Sequence, residues 1–201
     1  MNDQTTDEAR LKFLPISFFA MVMGLTGLSI AWQLAEVTYG LQLKMSGALL
    51  ALAAISFLLL LALYLNKLFR HLDAVRKELA HPVQLNFFPT LSISLILLGT
   101  AALHQWPAVA GILWVIGTVL HLLFTLYVVN VWIHHEHFEI HHLNPAWFIP
   151  AVGNVLVPVA GVPLGYTEVS WFFFSTGLVF WMMLLTIIFY RVLFHHPIAD
   201  T

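Results

Sequence analysis

Six apolar runs, each about as long as the core of a bilayer is thick, leave this chain few ways to fold. They cover residues 13–34, 45–66, 85–103, 107–133, 145–165 and 171–194. About 20 residues of helix cross the ~30 Å of hydrocarbon. In that solvent every backbone N–H and C=O has to be satisfied inside the protein, which these segment lengths allow only as helices. Composition agrees: 60% of the 201 residues are hydrophobic, 9% are charged, and mean hydropathy is +0.88. A soluble domain of this size has no core large enough to hide that surface. The expected fold class is an all-α polytopic membrane protein with six transmembrane helices.

The few charges orient the chain rather than choose its partners. The formal net charge is -2, and no nucleic-acid partner is expected. Residues 1–12 form an acidic tail without the basic, small-residue pattern of a cleaved signal, so the first run is read as a retained helix. Residues 13–194 form the membrane domain, and 195–201 a short end. Arg10 and Lys12 precede the first run, Lys67, Arg70, Arg76 and Lys77 follow the second, and Arg191 closes the sixth. The excess of Lys and Arg on one side then places both termini, the 67–77 loop and the histidine-rich loop in the cytoplasm of a cell whose plasma (inner) membrane holds the protein. Lys44 and Glu168 fall on the opposite side. There is no cysteine, which excludes disulfides and thiolate metal sites.

Proline placement divides the runs. Pro15, Pro89, Pro150 and Pro158 lie in the first, third and fifth, whereas the second, fourth and sixth have no internal proline. A proline inside a helix removes a hydrogen bond and costs roughly 3 kcal/mol. Such breaks sit best where a helix faces protein or a water-filled cavity. Aligning the prolines gives an internal repeat: Pro15, Gly24, Trp32; Pro89, Gly99, Trp106; Pro150, Gly161, Trp171. Each unit is a broken odd helix, a turn and a smooth even helix. The expectation is two layers, with the odd helices inside, drawn close by Gly24, Gly27, Gly99, Gly153 and Gly161, and the Leu-rich even helices facing lipid.

The runs are read as free of Lys, Arg, Asp and Glu, with His121 and His104 as the candidate intramembrane ionisable groups. His121 reads first as a hydrogen-bonded packing residue. A path through such helices would be lined by Phe18, Phe19, Phe87 and Phe88 as constrictions, by Gly24, Pro89, Pro150, Gly153 and Pro158, and by Ser17, Ser92, Ser94 and Asn154 for polarity. Uncharged walls still admit anions through helix-end dipoles, and gate by hydrophobic closure.

The histidine loop tempts in another direction. His137, His141 and His142 read as one histidine box of the di-iron membrane desaturases and oxidases, with incidental metal binding as a weaker form of that reading. Those enzymes need several boxes, and no second one occurs. The expectation is therefore no cofactor, no bound metal and no enzymatic activity. A di-iron oxidase or a non-transporting membrane assembly subunit are the alternatives.

The stretches LPISFFAMVMGLTGLSIAW, HPVQLNFFPTLSISLILLG and NPAWFIPAVGNVLVPVAGVPLGY resemble the first, third and fifth helices of the tellurite-resistance and plant slow anion channel family. That family also takes in malate and sulfite transporters, and its bacterial members are often labelled C4-dicarboxylate transporters. The resemblance implies ten helices in five hairpins, of which these six helices would be three, with odd helices ringing an anion pore, and assembly as a trimer. It matches Gly24 to a small residue of the first inner helix, Phe19 and Phe87 to inner-helix aromatics, and Pro150 with Gly153 to the kinked stretch of the fifth. It also implies that four further helices, with a gating phenylalanine in the ninth, lie beyond Thr201, so that these six helices would not conduct alone. The expected function is passage of small inorganic or dicarboxylate anions through an uncharged, aromatic-gated path.

Overall fold

The computed structural model describes residues 11–134 and 144–194. A 3-10 turn, Ile16–Phe18, leads into α1 (Phe19–Tyr39), followed by α2 (Met45–Arg70) and a short α3 (Leu72–Ala80). A second 3-10 turn, Gln84–Phe87, leads into α4 (Pro89–Ala102), which is followed by α5 (Pro107–His134). A third such turn, Pro145–Trp147, begins the fifth span, which runs as α6 (Phe148–Val152), a 3-10 stretch (Gly153–Leu156) and α7 (Val157–Gly161). The last helix is α8 (Thr167–Phe194). The described residues form helices and turns only, an all-α multi-pass membrane protein.

Five helical stretches are long and apolar enough to cross a membrane: Ile16–Tyr39, Met45–Arg70, Gln84–Ala102, Pro107–His134 and Thr167–Phe194. The fifth of the six expected runs is the exception. It is a shorter apolar segment, Pro145–Gly161, cut into pieces. The prolines explain which span breaks. Pro15 caps the first lead-in turn and Pro89 is the first residue of α4, positions where a missing N–H costs little. Pro150 and Pro158 fall inside helical pieces. Pro158 has no N–H for the carbonyl of Asn154, and the chain tightens instead, so that the Val157 N–H bonds that carbonyl. The 3-10 stretch is thus the local answer to a missing donor.

Two expectations are corrected by helix length. Two helices overrun the apolar runs and take in Glu36 and Lys67, and Arg191 lies within the sixth run itself, so the spans are not free of charge. The 67–77 loop is helical: Leu72, Val75 and Leu79 share one face of α3, with Val75 buried. Asp73 in its first turn and Lys77 in its last suit the helix dipole. Elsewhere, α1 stops at Gly40, whose left-handed φ of 64° lets the N–H groups of both Gly40 and Leu41 bond the Glu36 carbonyl.

Three hairpins result: α1 with α2, α4 with α5, and the broken span with α8. α4 lies between α1 and the broken span. It is the enclosed helix, with 83% of its apolar window buried against 17–33% for the other four long spans. The inner position expected of odd helices holds for α4. In α1 the corresponding share is 22%, no more than that of α2, so one side of α1 is open.

Candidate functional site

One face of α5 braces the broken span. Trp114, Thr118, His121 and Thr125 are spaced 4, 3 and 4 residues apart, which lines them up on one side of the helix, and all four are buried. Thr125 Oγ1 donates to the carbonyl of Pro150 at 2.7 Å, and Trp114 Nε1 donates to the carbonyl of Val157 at 2.8 Å. These two bonds stand on either side of the 3-10 stretch. Between them His121 meets Gly153: a Cβ at 153 would lie 2.8 Å from the imidazole Cε1. Ser92 Oγ donates to the Pro89 carbonyl at 2.8 Å and sits 3.0 Å from His121 Nδ1. With the hydroxyl proton committed to Pro89, Nδ1–H donates to Ser92, and Nε2 has no hydrogen-bond partner among the described residues. Asn154 completes the brace, its amide donating to the carbonyls of Ala151 at 2.7 Å and Pro150 at 3.2 Å.

The second feature lies at one end of the bundle. The three lead-in turns meet there: Ile16–Phe18 touches Gln84–Phe87, which touches Pro145–Trp147. None of the three carries a charged side chain. Two of them run into paired phenylalanines whose members part company. Phe19 is 1% exposed and meets Phe57 and Tyr64 edge-to-face, with centroids 5.7 and 6.2 Å apart. Phe88 is likewise buried, against Tyr64 at 6.4 Å and Phe124 at 6.3 Å. Their neighbours stay open: Phe18 is 42% exposed and Phe87 is half-buried.

The residues expected to line a path therefore separate. Phe18, Gly24 and Phe87 keep exposed surface, and Pro158 borders a shallow apolar cleft with Val162, Ser170, Trp171 and Phe174. Phe19, Phe88, Pro89, Ser92, Pro150, Gly153 and Asn154 are buried among the helices. The hydroxyls of Ser92 and Ser94 go to backbone carbonyls, Ser94 reaching Phe19 O and Thr90 O. The glycines divide too. A Cβ at Gly99 would meet Ala110 O at 2.9 Å, and one at Gly161 would strike Ser170 and Trp114. At Gly24 and Gly27 it would meet nothing within 4 Å, so these two do not serve close approach among the described residues. His104 is exposed, His121 is the hydrogen-bonded packing residue expected, and His137, His141 and His142 lie outside the described residues. Apart from His121 the α5 brace was missed in the sequence, where its signal was hydrogen-bonding side chains at 114, 118, 121 and 125, spaced along one face of an apolar helix.

Comparison with known proteins decides the family. Residues 14–201 match the voltage-dependent anion channel family. The chain belongs to that family. It is 32% identical over 186 residues to the tellurite resistance protein TehA homolog of Haemophilus influenzae, covering 91% of this chain and 55% of the relative. An uncharacterized transporter of Methanocaldococcus jannaschii is 29% identical over 201 residues, 94% of this chain and 57% of its own length. The S-type anion channel SLAH2 of Arabidopsis thaliana is 26% identical over 185 residues, 89% of this chain and 36% of its own. The chain thus spans little more than half the length of the microbial relatives. These relatives carry the names of a tellurite resistance protein, a transporter and an anion channel, and the di-iron alternative finds no support among them.

Proposed function

We propose that the protein passes small anions across the membrane, on the side where α1 is open and the three lead-in turns meet. The observation that carries this reading is the uncharged cluster of turns, with Phe18 exposed and Phe87 half-buried at their ends, in a member of an anion channel family. Apolar rings at a constriction keep a path dry until they move apart, and helix ends supply the partial positive charge an anion needs. The substrate class is a small inorganic anion or a dicarboxylate. Further along α1, Gly24 keeps the wall free of side chain. The protein works in the inner membrane with its N-terminus in the cytoplasm, as a homo-oligomer that the family resemblance makes a trimer.

Anion flux into liposomes containing the full-length protein tests the reading. Phe18→Ala and Phe87→Ala should raise flux, because a smaller side chain lets the constriction wet. Gly24→Asp should abolish it by placing a carboxylate on the open wall. Unchanged flux in all three variants would remove the path from this side of α1.

A further inference from the structure

We propose that Tyr64, on the outer helix α2, is a positioning residue that sets how the first two lead-in turns, and through them Phe18 and Phe87, stand relative to each other. The inference rests on the path proposed above. Tyr64 is buried against the residue that follows each of these turns. Its ring meets Phe19 and Phe88 edge-to-face, and these are the first residue of α1 and the residue just before α4. One aromatic side chain therefore touches the buried neighbour of both Phe18 and Phe87. Aromatic pairs hold a preferred edge-to-face geometry, so the ring acts as a spacer between two helix starts.

What holds the ring is polar. The Tyr64 hydroxyl donates to Glu78 Oε2 at 2.8 Å, and Glu78 Oε1 lies 2.5 Å from Lys67 Nζ. Lys67 is 0% exposed and donates to the carbonyl of Leu14 at 2.7 Å, immediately before the Pro15 that caps the first turn. The same ammonium lies 5.4 Å from the centre of the Tyr64 ring. Glu78 belongs to α3, which packs on the second turn, Gln84–Phe87. The unit thus grips the first turn through Leu14 and Phe19, and the second through Phe88 and α3. A charged pair buried at the end of a membrane span is costly to desolvate, and simple packing would be met as well by an apolar side chain. Its geometry matches a different task, which is to join α3 to both turns. Displacement of α3 moves Glu78, Glu78 moves the tyrosine, and the tyrosine moves the starts of α1 and α4.

These 201 residues have no cysteine, so spin labels on Phe18→Cys and Phe87→Cys need no other change among them and report their mutual distance by dipolar broadening. In the full-length protein, Tyr64→Leu and Tyr64→Phe should each alter that broadening, the leucine more, because it removes the ring as well as the hydroxyl. Leu58→Ala, a lipid-side change on the same helix, should leave it unchanged. If Tyr64→Leu fails to fold, the paired change of Lys67→Met with Glu78→Gln removes the grip without stranding a charge and takes its place. Broadening identical to wild type in a folded variant overturns the proposal, whatever the flux does. Altered broadening with altered anion flux, measured without labels, supports both positioning and path. Altered broadening with wild-type flux leaves Tyr64 as a positioning residue and removes Phe18 and Phe87 from the path.

Discussion

Gly153 lies against the imidazole of His121, with no room between them for a methyl group. A Cβ there would sit 2.7 Å from Ile93 Cδ1 and 2.9 Å from His121 Nε2. Gly153→Ala should therefore destabilise the protein by about 1–3 kcal/mol, the usual cost of overpacking. Combining it with His121→Ala should recover part of that loss. Gly24→Ala should be neutral or slightly stabilising, because its Cβ meets nothing and alanine is the better helix former. Thermal unfolding of purified protein in detergent checks all three. Equal losses for the two glycine changes would refute the contact.

The two bonds that flank the break should be felt where they act. Thr125→Val and Trp114→Phe each remove a donor from a carbonyl of the broken span. Interhelical bonds in membranes are worth about 0.5–2 kcal/mol, so each change should have a modest effect on global stability. Hydrogen exchange in 150–157 should accelerate well before other segments respond. Uniform acceleration across the chain would mean that α5 does not brace this span in particular.

Lys67 and Glu78 should behave as a pair. Lys67→Met alone leaves a carboxylate with little water around it and should cost about 3–5 kcal/mol. Lys67→Met with Glu78→Leu should cost much less, because neither charge is stranded. A double variant as unstable as the single one would show that Lys67 matters for its bond to Leu14 O instead.

Orientation can be read with single cysteines. A cysteine at Arg76, on α3, should resist an impermeant thiol reagent applied outside intact cells, while one at Glu168, at the start of α8, should react. The reverse pattern would invert the topology and place the lead-in turns outside.

Apolar length located five of the six expected spans as long helices and made the hairpin order readable, and proline position marked which span breaks into shorter pieces. The repeat is visible in the fold as well, since each odd span opens with a 3-10 turn: Ile16–Phe18, Gln84–Phe87 and Pro145–Trp147. What hydropathy could not reveal is where helices end in polar sequence. Lys67 looked like a loop residue because it follows Asn66, yet α2 carries it inward to meet Glu78. Nor could sequence tell the two members of a Phe-Phe pair apart. Phe18 and Phe19 are chemically identical, and their surroundings differ by one residue's rotation at the start of α1, where Phe19 packs on Tyr64, 45 residues away. Serines in a membrane helix read as lining for the same reason: their bonds to carbonyls one turn back leave no trace in composition.

Those carbonyl bonds bear on how the protein is made. The hydroxyls of Thr90, Ser92, Ser94 and Thr100 all find acceptors within α4 or its own lead-in turn. α4 therefore carries four hydroxyls in an apolar helix but is self-satisfied, fit to enter lipid as it leaves the ribosome, before any later helix exists to enclose it. The broken span is the opposite case. Pro150 and Val157 have carbonyls that take hydrogen bonds from Thr125 and Trp114, and both donors belong to the helix synthesised just before. Vectorial synthesis thus sets down the brace first, and the segment that leans on it arrives to find it waiting.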